Sequence, residues 1–166
     1  MSNDYGKVRA ILKYLKIDLR NPIEDEHFRD RLIIQKLAFI SKFLGIGLNY
    51  SFGLYKKGPY SPTLTDDYYS YHENDPPLVY KFGTIPSLNM GESRILEKMK
   101  DVIFSHPIYK THKLDLLQAI STILYFRMKE PNSSVDQLVY NTKTEKPYLT
   151  ERIITIAMNL VKVLKF

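Results

Sequence analysis

The chain has 166 residues, 44% hydrophobic and 25% charged, with a net charge of +6 at pH 7, an ordinary balance for one folded domain around one core. It has no cysteine, which excludes disulfides, thiolate zinc sites and a cysteine nucleophile. No run of about 18 uncharged apolar residues occurs, and Met1 to Tyr5 lacks the basic-then-apolar pattern of a secretion leader, so a cytoplasmic protein without a membrane span is expected.

In chain order, residues 4–17 place Val8, Ile11, Leu12 and Leu15 at helical spacing, which predicts an amphipathic helix. Lys7, Arg9, Lys13 and Lys16 fall on its other face as candidate nucleic-acid contacts, or else as the solvated side of a surface helix. Asn21-Pro22 ends this N-terminal basic segment (1–22). Glu24-Asp25-Glu26 then sets negative charge at the start of the next helix, where the helix dipole favours it.

That helix is predicted over 28–44. Phe28, Leu32, Ile33, Leu37, Ile40 and Leu44 form an apolar stripe, widened by Ile34, Ala38 and Phe39, so this helix should be central. Gln35 and Lys36 stand within the stripe. They are candidate recognition groups, although a Gln so placed more often satisfies the backbone of a nearby turn. Gly45 and Gly47 suit a left-handed helix end.

Leu48 to Tyr55 alternates, with Tyr50, Phe52 and Leu54 on one face, which predicts a short strand. Gly58 and Pro59 break it and turn the chain. Ser61 as N-cap and Pro62 in the first helical position start a helix over 61–73. Seven of the thirteen tyrosines lie between positions 50 and 80. Tyr50, Phe52, Tyr55, Tyr60, Tyr68 and Tyr71, with Gln35 and Lys36, are the candidate partner-binding set. Tyrosine offers a large, stiff contact at low entropy cost; the alternative is a core boundary with hydroxyls turned outward. Residues 51–90 carry 3 basic and 4 acidic side chains, a balance that opposes stacking on single-stranded nucleic acid.

Residues 74–90 read as a loop with at most one strand, in which Leu78, Tyr80 and Phe82 alternate and could pair with Leu48–Tyr55. Helical spacing returns over 91–105 (Ile95, Met99, Val102, Ile103) and over 112–129 (Leu114, Leu117, Ile120, Leu124), the second candidate core helix. Ser134 to Gln137 has the form of a capping box, opening a helix to about Thr142. After Lys146-Pro147, Ile153, Ile156, Leu160 and Leu164 mark a last helix. The fold expected is mainly α: a compact bundle of six to eight helices with a minor two-stranded β element.

No phosphate-binding glycine loop, nucleophile elbow or His-x-x-x-His pair occurs. Asp66-Asp67 diverge on adjacent helix positions and cannot converge on one substrate atom. No catalytic residue, metal site or cofactor is therefore expected.

Gln35-Lys36-Leu37, the glycine-bearing helix end, Tyr50-Ser51-Phe52 and then Tyr55-x-x-Gly58-Pro59-Tyr60-Ser61-x-x-Leu64 form one ordered signature over 28–64. With the apolar helix from Leu114 to Phe126 and Lys146-Pro147 before Thr150 to Ile154, it resembles the Panacea (SocA-like, YwgA-type phage-associated) domain family. Lys56-Lys57 and the insert at 74–90 depart from the family pattern. The resemblance implies a helical fold without enzymatic activity, acting as an antitoxin or adaptor that binds and neutralises a toxin protein. The alternative from the residues alone is a nucleic-acid-binding regulator using basic helix faces. The oligomeric state is left open by the sequence.

Overall fold

The computed structural model describes residues 4–17, 28–72 and 85–165. Among them are eight α-helices and one two-stranded antiparallel sheet. The helices are α1 (Asp4–Tyr14), α2 (Phe28–Leu44), α3 (Pro62–His72), α4 (Met90–Met99), α5 (Pro107–Thr111), α6 (Lys113–Lys129), α7 (Val135–Glu145) and α8 (Glu151–Lys165). The strands are β1 (Gly53–Tyr55) and β2 (Gly58–Tyr60). The expected mainly α fold and its helix count hold. Glu24-Asp25-Glu26, Asn21-Pro22 and the strand suggested at 78–82 lie outside the described residues.

Helices α2 and α6 form the centre. α6 packs on α2, α7, α8 and the hairpin, and α2 also meets α1, α4 and the hairpin. Their width of burial follows from their sequences: Leu32 to Ser41 of α2 and Leu116 to Leu124 of α6 are continuously buried. A helix apolar on all sides must be covered on all sides.

Local chemistry sets the boundaries. α2 ends in a Schellman motif, with Gly45 at φ +121°, Gly45 N bonded to Lys42 O and Ile46 N to Ser41 O. The closing residue needs the left-handed conformation glycine adopts freely. α1 closes the same way, through Ile17 N to Leu12 O, but with Lys16 at φ 57° in the glycine position. Ser61 Oγ accepts from Leu64 N at the start of α3, Asn89 and Glu92 form a reciprocal capping box at α4, and Ser134 caps α7. α4 runs on through a π-helical turn, Lys100–Phe104. The short α5 was not anticipated.

The β element differs from expectation in its pairing. Burial alternates as expected from Leu48 to Ser51 but not over Phe52 to Leu54, and only Gly53–Tyr55 makes a ladder. Its partner is Gly58–Tyr60, in the register Gly53↔Tyr60, Leu54↔Pro59, Tyr55↔Gly58. The segment read as a strand breaker is thus itself the second strand. A proline lacks a backbone donor but is tolerated on an edge strand. Lys56-Lys57 form the turn, and Gly58, at φ +101°, reverses the chain.

Candidate functional site

Three-residue strands are too short to stand alone in water, so the helices must fix this hairpin. Lys36, in the middle of α2, is fully buried and donates from Nζ to Pro59 O at 2.8 Å. Gln35, beside it, clasps Ser61 on both sides: Oε1 accepts from Ser61 N at 2.8 Å and Nε2 donates to Ser61 O at 3.0 Å. From the other side comes Lys146, between α7 and α8 and equally buried. Its Nζ donates to Tyr55 O and, at 2.8 Å, to Lys56 O. Tyr148 OH donates to Gln118 Oε1 of α6 at 2.6 Å, with Lys56 O a longer 3.3 Å away. The carbonyls of a tight turn need donors when buried, and two lysines supply them.

Burial of these ammoniums is electrostatically unfavourable. Desolvation, followed by the charge of Lys146, pushes the Lys36 amine down from 10.5 to about 7. Lys146 is also lowered by desolvation, with Glu145 working in the opposite sense; its carboxylate lies 3.9 Å from Nζ. Gly58 leaves no room to spare: a Cβ there would lie 3.2 Å from Lys36 Nζ and 3.4 Å from Thr122 Oγ1. The Thr122 hydroxyl is itself buried without a hydrogen-bond partner.

No protein-family model matches this chain, and no curated protein or solved structure matches it significantly.

The candidate partner-binding residues divide between interior and surface. Gln35, Lys36, Tyr50 and Tyr68 are buried, which corrects their reading as surface contacts. Tyr50 OH donates to the Asp67 carboxylate. Desolvation raises the Asp67 carboxyl above its ordinary value, against the opposing effect of that bond. Tyr68 packs beside Tyr5 and reaches Thr65. Phe52 is half-buried, edge-on to Phe39. Tyr71 is half-buried and accepts from Arg9 Nη1 at 3.0 Å, with the guanidinium 4.2 Å from its ring centre. Tyr60 is half-buried, its hydroxyl bonded to Thr65.

Tyr55 alone of the set stands well out, 50% exposed, its ring edge-on to Tyr60 at 5.3 Å. Around it lie Lys56, Lys57 and Tyr148, which is 44% exposed. Lys57 Nζ sits 4.8 Å from the Tyr148 ring centre. These neighbours were not among the predicted site residues. Lys146 opens the Lys-Pro step that the family resemblance singled out and Tyr148 follows it, the sequence signal that pointed to them. Ser61 and Pro62 begin α3, whereas Gly58 and Pro59, read as the turn, lie in β2 just after it.

Lys7, Arg9 and Lys13 of α1 and Lys16 just beyond it do not form one free stripe. Lys7 pairs with Glu92 at 2.9 Å and Arg9 is held between Tyr5 and Tyr71. Lys13 and Lys16 are exposed. Among the described residues no three His, Asp or Glu side chains gather as a metal site, and no helix is long and apolar enough to cross a membrane.

Proposed function

We propose that this chain is a non-catalytic protein-interaction module, antitoxin- or adaptor-like, which captures and neutralises a partner protein through the tip of its hairpin. The observation that carries this reading is Tyr55, half exposed on a backbone anchored by Lys36 and Lys146 from two sides. An aromatic anchor on a fixed backbone loses little freedom when it is covered, which favours affinity. Lys56 and Lys57 beside it would select an acidic patch on the partner and speed encounter. That the partner is a toxin protein follows from the family the sequence resembles.

The test is affinity capture from nuclease-treated cell lysate by the tagged native chain and by Tyr55→Ala, read by mass spectrometry. One stoichiometric protein, retained by the native chain and lost by the variant, is expected. The variant should keep its helical circular dichroism and lose about 1 kcal/mol of stability, since the half-exposed ring gives up its edge contact with Tyr60 and its place over Gly53. Equal capture by both chains would remove the tip from the interface. Capture that vanishes on nuclease treatment would instead favour a nucleic-acid-binding regulator.

A further inference from the structure

Away from the hairpin, three cations from three elements meet around one cavity of about 350 Å³: Arg29 on the first turn of α2, Lys110 on α5 and Lys113 at the start of α6. Ile33 and Leu114, both buried, give it an apolar floor, and among the described residues Asp30 is the one acidic group in its lining. Three positive groups against one negative leave an excess of two. Among the described residues neither Arg29 nor Lys110 has an ion-pair or hydrogen-bond partner, and Lys113 rests only against the Tyr109 ring, 5.2 Å from its centre.

These cations do not serve their own helices. Arg29 and Lys113 occupy first turns, where the helix dipole disfavours positive charge. They also repel one another across the cavity, and no carboxylate of the described residues bonds to them. Such a conflict between local preference and placement marks positions held for another purpose.

We propose that this cavity binds a small phosphate monoester, with Arg29, Lys110 and Lys113 taking the phosphoryl oxygens and the Ile33–Leu114 floor meeting the organic part. The excess of two positive charges matches a phosphate dianion. Guanidinium and ammonium groups form strong charge-assisted bonds to such oxygens. The volume lies at the small end of ligand cavities and suits one phosphorylated metabolite of modest size better than a polymer.

The test uses the full chain and sodium phosphate as probe, following thermal unfolding against sodium chloride at matched ionic strength. The midpoint is expected to rise with phosphate in the native chain. Lys110→Gln, at an exposed position, should weaken the apparent dissociation constant roughly tenfold. Asp30→Asn, which removes the opposing charge, should tighten it. That gain cannot come from a folding defect. A phosphate response no larger than that of chloride, or equal in all three chains, overturns the proposal. So does tighter binding of a short oligonucleotide without terminal phosphates, which would make the patch a polyanion surface.

Discussion

Lys36→Met tests whether the hairpin is clamped by a desolvated ammonium. The fall of the Lys36 amine from 10.5 to about 7 disfavours the charged form in the folded chain by about 5 kcal/mol, at about 1.4 kcal/mol per tenfold. That shift already nets whatever the 2.8 Å bond to Pro59 O returns, so the whole of it is the penalty that the fold carries. Below pH 7 both states carry the ammonium and the penalty is complete. From pH 7 upward the folded amine sheds its proton while the unfolded one keeps it, so stability rises with pH. The window closes near pH 10. There the tyrosines ionise in the unfolded chain, whereas burial holds Tyr109 and Tyr148 up to about 12 in the fold, and stability turns down again.

In Lys36→Met the penalty disappears, but the Pro59 carbonyl loses its donor, which costs about 1–3 kcal/mol. The variant should therefore lead by about 1–3 kcal/mol at pH 7. The native chain should gain about 3 kcal/mol on the variant between pH 7 and pH 9.5, closing that lead. Urea unfolding followed by circular dichroism at pH 7, 8 and 9 measures this directly. Lys146, lowered in the same direction and itself a cause of the Lys36 shift, is relieved of a neighbouring charge in the variant, so the difference between the chains reports the coupled pair. Parallel pH dependence of the two chains would refute the reasoning, because it would mean that the Lys36 ammonium stays solvated in the fold.

Gly58→Ala forces a side chain into φ +101° and against Lys36 and Thr122, and should cost about 2–3 kcal/mol in chemical denaturation. Lys16→Gly relieves a left-handed lysine at the end of α1; a gain of up to about 1 kcal/mol in the same assay is expected. His72 is held down to about 4 by burial and then by Arg9, so the unfolded chain takes up a proton first as pH falls below 6.5. Stability should be lost between pH 6.5 and 4, and His72→Gln should flatten that limb relative to the native chain in acid titrations of the melting temperature.

The helices were legible because their boundaries are written locally. The apolar stripe fixes α2 from Phe28 to Leu44, and Gly45 closes it through bonds no farther away than Ser41. Ser61, Pro62 and Ser134 act within three residues of themselves. The hairpin was misread because a ladder is a relation between segments. Pro59 looks like a strand breaker until Leu54 is known to lie opposite it on an edge.

The tyrosines were illegible for a different reason. Their rings suit an interior and their hydroxyls suit water, so number and spacing do not sort them. Tertiary context sorts them: Tyr50 and Tyr68 lie inside with their hydroxyls on Asp67 and Thr65, whereas no hydrogen-bond partner holds the Tyr55 side chain among the described residues. Lys36 inverted the usual expectation, since lysine is seldom fully buried. It is inside because the Pro59 carbonyl is inside and needs a donor long enough to reach it from a helix axis.

That arrangement bears on how the tip would bind. A two-stranded ribbon of six residues has almost no stability of its own, and a mobile one would lose ordering entropy on capture, roughly 1–2 kcal/mol for each backbone residue fixed. Here Pro59, Ser61, Tyr55 and Lys56 are each bonded to a helix or to the approach to α8. The ordering is therefore completed by folding, before any partner arrives. Desolvating two ammoniums makes the fold less stable than an apolar clamp would, but an apolar clamp could not donate to turn carbonyls. Replacing Lys146 by Met should accordingly weaken capture through Tyr55 while the Tyr55 side chain itself is unchanged. Such a loss would separate a need for a rigid tip from a need for the aromatic ring alone.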